Sequence, residues 1–161
     1  MIKPVIFILS LTSTCSFLAN QKVLKKSCNI LNMSSNILLN NEELPAFSKF
    51  ESNLVEPGIK QILTKLENDF SSLEKEIELE FNENKLYDLA IHQMEKIEYP
   101  LSFGWGLVSH LHSVKNNNEL RSAYDKMQSE VIKVSTKISQ SKILYNALVK
   151  IQKSGNLDDI Q

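Results

Sequence analysis

Ile59, Ile62, Leu66, Phe70, Leu73 and Ile77 follow one another at steps of three and four, with Leu63 alongside, and no other feature restricts the fold so tightly. On a 3.6-residue repeat this spacing lines one face of a helix, and that face needs a core to cover it. The helix is read as starting at Pro57, a good first-turn residue because its missing N–H would be unpaired there anyway. Lys65, Glu67, Glu74 and Glu78 fall off the stripe. The acidic run Glu74, Glu76, Glu78 and Glu80 is either a cation site or a solvated face; alternate positions on a helix point different ways, which favours the solvated face.

The same period returns downstream. Asn82-Glu83-Asn84 interrupts it, and a second helix then takes Leu86, Leu89, Ala90, Met94 and Ile97 inward. It is expected to end before Pro100. A segment over 103–115 turns Leu107, Val108, Leu111 and Val114 inward, either on its own or as a continuation of the second helix through a kink at Pro100. Asn116-Asn117-Asn118 reads as a turn with capping side chains, and Glu119 sits in the next first turn, where acids suit the helix dipole. That helix buries Leu120, Ala123, Tyr124, Met127, Val131, Val134 and Ile138. A last helix offers Ile143, Leu144, Ala147, Leu148 and Ile151 and stops at Gly155. Ahead of these, Leu44-Pro45-Ala46-Phe47 reads as extended, with Phe47 and Phe50 as anchors. With no period-2 strand in competition and only 4 glycines and 4 prolines, the fold class is all-α: an antiparallel helical bundle or hairpin array. The closing stretch after Gly155 reads as a cut rather than a finish.

Charge divides the chain. All 19 acidic residues lie after position 41, whereas 1–41 carry only Lys3, Lys22, Lys25 and Lys26; the remainder holds 14 basic against 19 acidic residues, a net charge of −5. The boundary near Glu42 separates a leader, 1–41, from a folded body, 42–161. Within the leader, Lys3 and the apolar run from Pro4 to Leu9, with Leu11 just beyond, fit a signal core over 1–16, with cleavage after Ser16. The run is too short to span a bilayer. Residues 17–41 have transit-peptide composition. The two together look like the bipartite leader of a secondary plastid, with secretion and a mitochondrial address as alternatives. Nothing in the charge balance calls for nucleic acid.

Chemistry is sparse. Cys15 and Cys28 both precede the boundary, which excludes a disulfide framework, a thiolate metal site or a catalytic cysteine in the body. His110 and His112 are two apart and point roughly 200° from each other on a helix, so they cannot grip one metal from one face. His92 with Glu95 is a bare pair. The H-E-x-x-H pattern of a zinc helix is absent from the sequence. Gly104-Trp105-Gly106 lacks the strand and third glycine of a dinucleotide loop. Trp105 is expected to anchor a close helix crossing, and His110 to pack and hydrogen-bond near Pro100; the alternative is that Trp105 lines a substrate channel.

The string Trp105-Gly106-Leu107-Val108-Ser109-His110-Leu111-His112-Ser113-Val114-Lys115-Asn116 resembles the W-G-x-V-x-H-L-x-x-V-K-N of the oligopeptidase A and thimet oligopeptidase family of zinc metallopeptidases. Glu119-Leu120-Arg121-Ser122-Ala123-Tyr124 is similar to that family's E-L-R-x-A-Y. Leu44-Pro45-Ala46-Phe47-Ser48-Lys49-Phe50 resembles its opening L-P-x-F-x-x-I, and Glu56-Pro57-Gly58-Ile59 matches the start of its first long helix. The resemblance runs collinearly from about 44 to 153. It implies the N-terminal wall domain of a clam-shaped helical peptidase whose two halves enclose a channel for short peptides, with zinc and the catalytic groups in a distal half. No catalytic or metal-binding residue carries over. Pro57, Trp105, Gly106, His110, Leu111, Val114, Lys115, Leu120, Arg121 and Tyr124 carry over as architectural positions. Zinc thus belongs to the full-length form, and the implied partner is the distal catalytic half. A stand-alone helical interaction module, or a truncated product without peptidase activity, is the other reading.

Overall fold

The apolar stripe does what its period demands. In a computed structural model that describes residues 36–40, 44–45, 47–115 and 117–154, it lines helix α1, Val55–Leu79. Ile59, Ile62, Leu63, Leu66, Phe70, Leu73 and Ile77 are all buried there. Five further elements follow: α2, Glu83–Tyr87; a π-helical turn, Asp88–Gln93; α3, Met94–Val114; α4, Asn118–Ser139; and α5, Lys142–Ser154, which closes the described chain. No strand occurs among the described residues. The leader segment 1–35, Ala46, Asn116 and the stop at Gly155 lie outside them.

Short polar turns set the directions. At the end of α1 the Glu80 carboxylate accepts the N–H groups of Phe81 and Asn82, and Asn82 Oδ1 accepts the Lys85 N–H at the head of α2. Asn117 Oδ1 accepts the Leu120 N–H at 2.7 Å and caps α4. These are the orphan donors that open every helix. Chain direction reverses at both turns, so α3 runs back along α1 and α4 runs forward again. Lys126 meets Glu56 and Lys137 meets Glu67, each pair 70 residues apart in sequence, which fixes α1 and α4 as parallel and in constant register.

Three departures from the sequence reading have physical causes. First, the second helix does not end before Pro100 but takes the alternative course of continuing through it: α2, the π-helical turn and α3 run on without a break, with Pro100 inside α3. Proline in a helix leaves the carbonyl four residues earlier without its donor, at about 3 kcal/mol or more; here that carbonyl belongs to exposed Lys96, where water can reach it. Burial of Met94, Leu101, Leu107, Val108 and Leu111 on the same helix offsets the cost. Second, the π-helical turn brings residues five apart together, Gln93 onto Asp88 at 3.2 Å and His92 edge-on to Tyr87 at 5.4 Å. Third, α5 does not fold back along α4. It packs on α2 and on the end of α1, tied there by Ser141 to Glu74 and by Lys150 to the Phe81 carbonyl.

Individual positions also move. α1 begins at Val55, so Pro57 lies in its first turn rather than at its start. Val114 and Leu148, expected inward, are 65% and 39% exposed, because Val114 ends α3 beyond the last packed turn and Leu148 faces away from α1. Phe47 is half-exposed in a 3-10 turn and only Phe50 packs against the core. Residues 36–40, inside the stretch read as leader, belong to the same unit as the helices, and Leu38 there is fully buried.

Candidate functional site

The residues singled out by the motif gather where α3 ends and α4 begins. Trp105 and His112 are seven apart on α3, so they share a face and are offset by about 10.5 Å along the axis. One aromatic ring fits into that interval, and Tyr124 of α4 supplies it. Its ring stacks on Trp105 at 4.8 Å and 18° and on His112 at 4.2 Å and 12°. All three side chains are half-buried. The stack ties α3 to α4 through polarizable faces, with Leu120 and Leu111 buried beneath it.

The remaining motif residues divide by role. Leu111 and Leu120 are core. Lys115 closes α3, its N–H donating to the Leu111 carbonyl at 2.8 Å. The Arg121 N–H donates to the Asn117 carbonyl in the first turn of α4. Val114 and Gly106 are exposed. His110 is exposed too, and meets Phe47 edge-on at 5.9 Å instead of packing inside; His112 is the histidine engaged in the stack.

The two glycines beside Trp105 are not equivalent. A Cβ on Gly104 would lie 2.8 Å from Ile62 Cδ1 and 3.3 Å from the Leu38 carbonyl oxygen, so this glycine permits the close crossing of α3 over α1. A Cβ on Gly106 would meet nothing within 4 Å. Trp105 therefore borders the crossing expected of it without filling it.

An open cleft of about 890 Å³ lies between the first turns of α1 and α4, bordered by Phe50, Glu56, Lys115, Asn117, Leu120 and Lys126. Glu56 is its most perturbed group. Hydrogen bonds from Lys126 and Lys60, at 2.7 and 2.6 Å, hold its carboxyl down at about 2. Among the described residues no three His, Cys, Asp or Glu side chains come together as a metal site needs. His110 and His112 engage different rings, so the described residues do not fit a zinc ion. The acidic run disperses as well: Glu74 accepts from Ser141, Glu80 pairs with Lys85, and Glu76 and Glu78 face solvent.

Sequence reasoning missed residues 36–40. Asn36 is the buried polar side chain of the described structure, at 4% exposure. It caps a short 3-10 turn, Ile37–Leu39, that packs on α1 and α3. The signal was present as Asn-Ile-Leu-Leu, but so short an apolar run has no period to read.

These features define an all-α domain whose distinctive side chains join helices to one another. Residues 59–161 match the family described as neurolysin/thimet oligopeptidase, N-terminal domain. The chain belongs to that family, through its N-terminal domain. It is 37% identical over 122 residues to a probable cytosolic oligopeptidase A of Arabidopsis thaliana, covering 76% of this chain and 16% of that protein. The corresponding figures are 35%, 76% and 15% for an organellar, chloroplastic/mitochondrial oligopeptidase A of the same plant. An oligopeptidase A of Haemophilus influenzae is 32% identical over 125 residues, 78% of this chain and 18% of that protein. The chain thus spans about one-sixth of the length of these relatives. No described helix is long and apolar enough to cross a membrane.

Proposed function

We propose that this chain serves as the N-terminal, non-catalytic part of a zinc metalloendopeptidase that degrades short peptides. The observation that carries the reading is the family match, supported by motif residues that pack helices instead of assembling a reaction centre. Zinc and the catalytic groups belong to a distal half, with which this domain forms one wall of a peptide channel. Exposed apolar side chains on α4 and α5, Ile132, Tyr145 and Leu148, support a partner surface of that kind. A leader directs the chain to an organelle, a plastid in the first instance; one relative's chloroplastic/mitochondrial description and the acid-free N-terminal stretch support this.

The test is a reconstitution. The chain alone is expected to hold no stoichiometric zinc after dialysis and to leave short peptides uncut. Fused ahead of the distal part of the Arabidopsis cytosolic relative, in place of that protein's own N-terminal region, it is expected to restore peptide cleavage. One tightly held zinc per isolated chain, or cleavage by the chain alone, overturns the reading. Failure of the fusion, with a folded chain and a folded distal part, favours a stand-alone interaction module.

A further inference from the structure

Residues 36–40 sit in a seat built for them. Asn36 Nδ2 donates to the Leu54 carbonyl at 2.9 Å, and its Oδ1 accepts the Leu38 N–H at 3.1 Å. Both ends of the amide are used in the only orientation that satisfies a carbonyl on one side and an N–H on the other. Leu54 immediately precedes α1, so Asn36 fastens the chain to the head of the central helix. Ile37 and Leu38 are 8% and 0% exposed, the latter as deeply buried as Val55 and Ile59 beneath it.

The seat exists because two helix positions carry no side chain. A Cβ on Gly58 would lie 2.6 Å from Asn36 Nδ2 and 3.1 Å from Leu38 Cδ1. A Cβ on Gly104 would press on the Leu38 carbonyl oxygen as well as on Ile62. Glycine inside a helix is unfavourable by roughly 1 kcal/mol against alanine. Its presence at both places where the segment crosses α1 and α3 fits a segment that is a fixed part of the domain.

We propose that residues 36–39 are a latch closing the head of the α1–α3 pair, and that they set the limit of proteolytic maturation: removal of a leader cuts ahead of Asn36, not at the change of composition at Glu42. The maturation statement rests on the leader reading, whereas the latch rests on the described residues alone. A cut at Glu42 would remove Asn36, Ile37 and Leu38 together, open the apolar seat between Val55, Ile59 and Gly104 to water, and leave the Leu54 carbonyl without its donor. Losses of buried aliphatic side chains on this scale lower melting temperatures by about 10 °C or more in a domain of this size.

Thermal melts of the full chain and of chains beginning at Asn36 and at Glu42 test the latch. The chain from Asn36 is expected to melt within about 2 °C of the full chain, and the chain from Glu42 about 10 °C or more below it. Equal melts for all three overturn the latch. A Glu42 chain that does not fold would leave the contact itself unproven, so Gly58→Ala in the full chain supplies the second arm. Gly58→Ala is expected to lower the melting temperature by several degrees; Asn36→Ala lowers it too, but with the struck amide gone, adding Gly58→Ala to Asn36→Ala is expected to lower it little further. Additive effects of the two substitutions overturn the contact. N-terminal sequencing of the protein from its own cells then reads the limit. A start at or before Asn36 but after Met1 supports it, and a start between Ile37 and Glu42 overturns it. An intact Met1 sinks the leader reading and leaves the latch to be judged on the melts.

Discussion

Helices α1 and α5 have similar sequence patterns and different fates. Every apolar position of the α1 stripe is buried, from Ile59 at its head to Ile77 near its end. In α5 only Ala147 and Ile151 are buried; Ile143 and Leu144 are half-covered, and Tyr145 and Leu148 face out. The difference is one of neighbours. α1 is packed against the 36–40 segment, the π-helical turn, α3, α4 and α5, whereas α5 packs chiefly on α2, on α1 and on the π-helical turn. An amphipathic period therefore reports that a helix has a face to cover, and the surrounding chain decides how much of it is covered.

The sharpest way to break this contrast is to truncate one side chain in each helix. Phe70 is 2% exposed in the middle of α1. Phe70→Ala is expected to cost about 3–5 kcal/mol, a large share of a typical total of about 5–15 kcal/mol. Leu148→Ala on α5 is expected to stay within about 0.5 kcal/mol. Urea unfolding followed by circular dichroism measures both. If Leu148→Ala matches Phe70→Ala, the exposed face of α5 is covered in solution, by a second copy or another segment.

The aromatic stack lies between these extremes. Trp105 is half-buried, and part of its worth is its contact with Tyr124. Trp105→Ala is expected to cost less than Phe70→Ala, and the cycle of Trp105→Ala with Tyr124→Leu to show a coupling of about 0.5–1.5 kcal/mol. Zero coupling would make the stack incidental to stability and return Trp105 to the role of a peptide-contacting residue, read as a rise in the Michaelis constant of a reconstituted enzyme.

How much of this was legible follows from what a sequence pattern encodes. The stripes of α1 and α4 were readable because residues three and four apart share a face over many turns. The Asn117 cap was readable because a side-chain amide ahead of an apolar repeat has one common use, whereas Asn82 was read only as a break and its capping role was not. The π-helical turn left no such mark: the Asp88–Gln93 and Tyr87–His92 contacts appear only once the extra residue is in place. At Pro100 the sequence left a stop and a continuation both open, because propensity is local and the packing that decides between them is not. The Asn36 segment was hidden by its setting, a Lys-, Ser- and Asn-rich stretch whose composition spoke for a leader. Of the candidate site, the burial of Leu111 and Leu120 was legible from the apolar period. The ring pairings were not, since stacking His112 rather than His110 on Tyr124 depends on the phase between two helices.

The turns offer a finer test. Asn117 caps α4, whose far end supports α5, while Ser141 caps α5 by accepting the Leu144 N–H at 3.2 Å and also donates to Glu74. Asn117→Ala is expected to cost about 1 kcal/mol, with the loss spread over the whole cooperative transition. Ser141→Ala is expected to loosen α5 first, seen as faster amide exchange in 142–154 with little change in the exchange of α1. Uniform acceleration across both helices would mean that the two ends unfold as one unit.

The smallest expected effect distinguishes the two ends of α1 by acid. Glu56, at its head, bridges Lys60 and Lys126 and has its carboxyl lowered from 4.5 to about 2. Glu80, at its tail, is lowered by its hydrogen bond from Lys85 and then by the backbone N–H of Asn82. A carboxyl lowered in the folded state adds stability that is fully present above its unfolded value and lost as the pH falls through its folded value. Stability should therefore decline on acidification from about 4.5 towards 2, with Glu56 acting across that whole interval. Both carboxylates reach solvent, so the effect is modest and weakens with salt. Glu56→Gln should flatten the acid limb of the melting curve at the head of α1, where Lys126 ties it to α4, and Glu80→Gln should do so only near the α1–α2 turn. Amide exchange at low pH separates the two: protection around Leu120 and Ala123 is expected to depend on Glu56 and not on Glu80. Equal dependence on both would show that the acid transition runs through α1 as a whole and that its head and tail are not separately anchored.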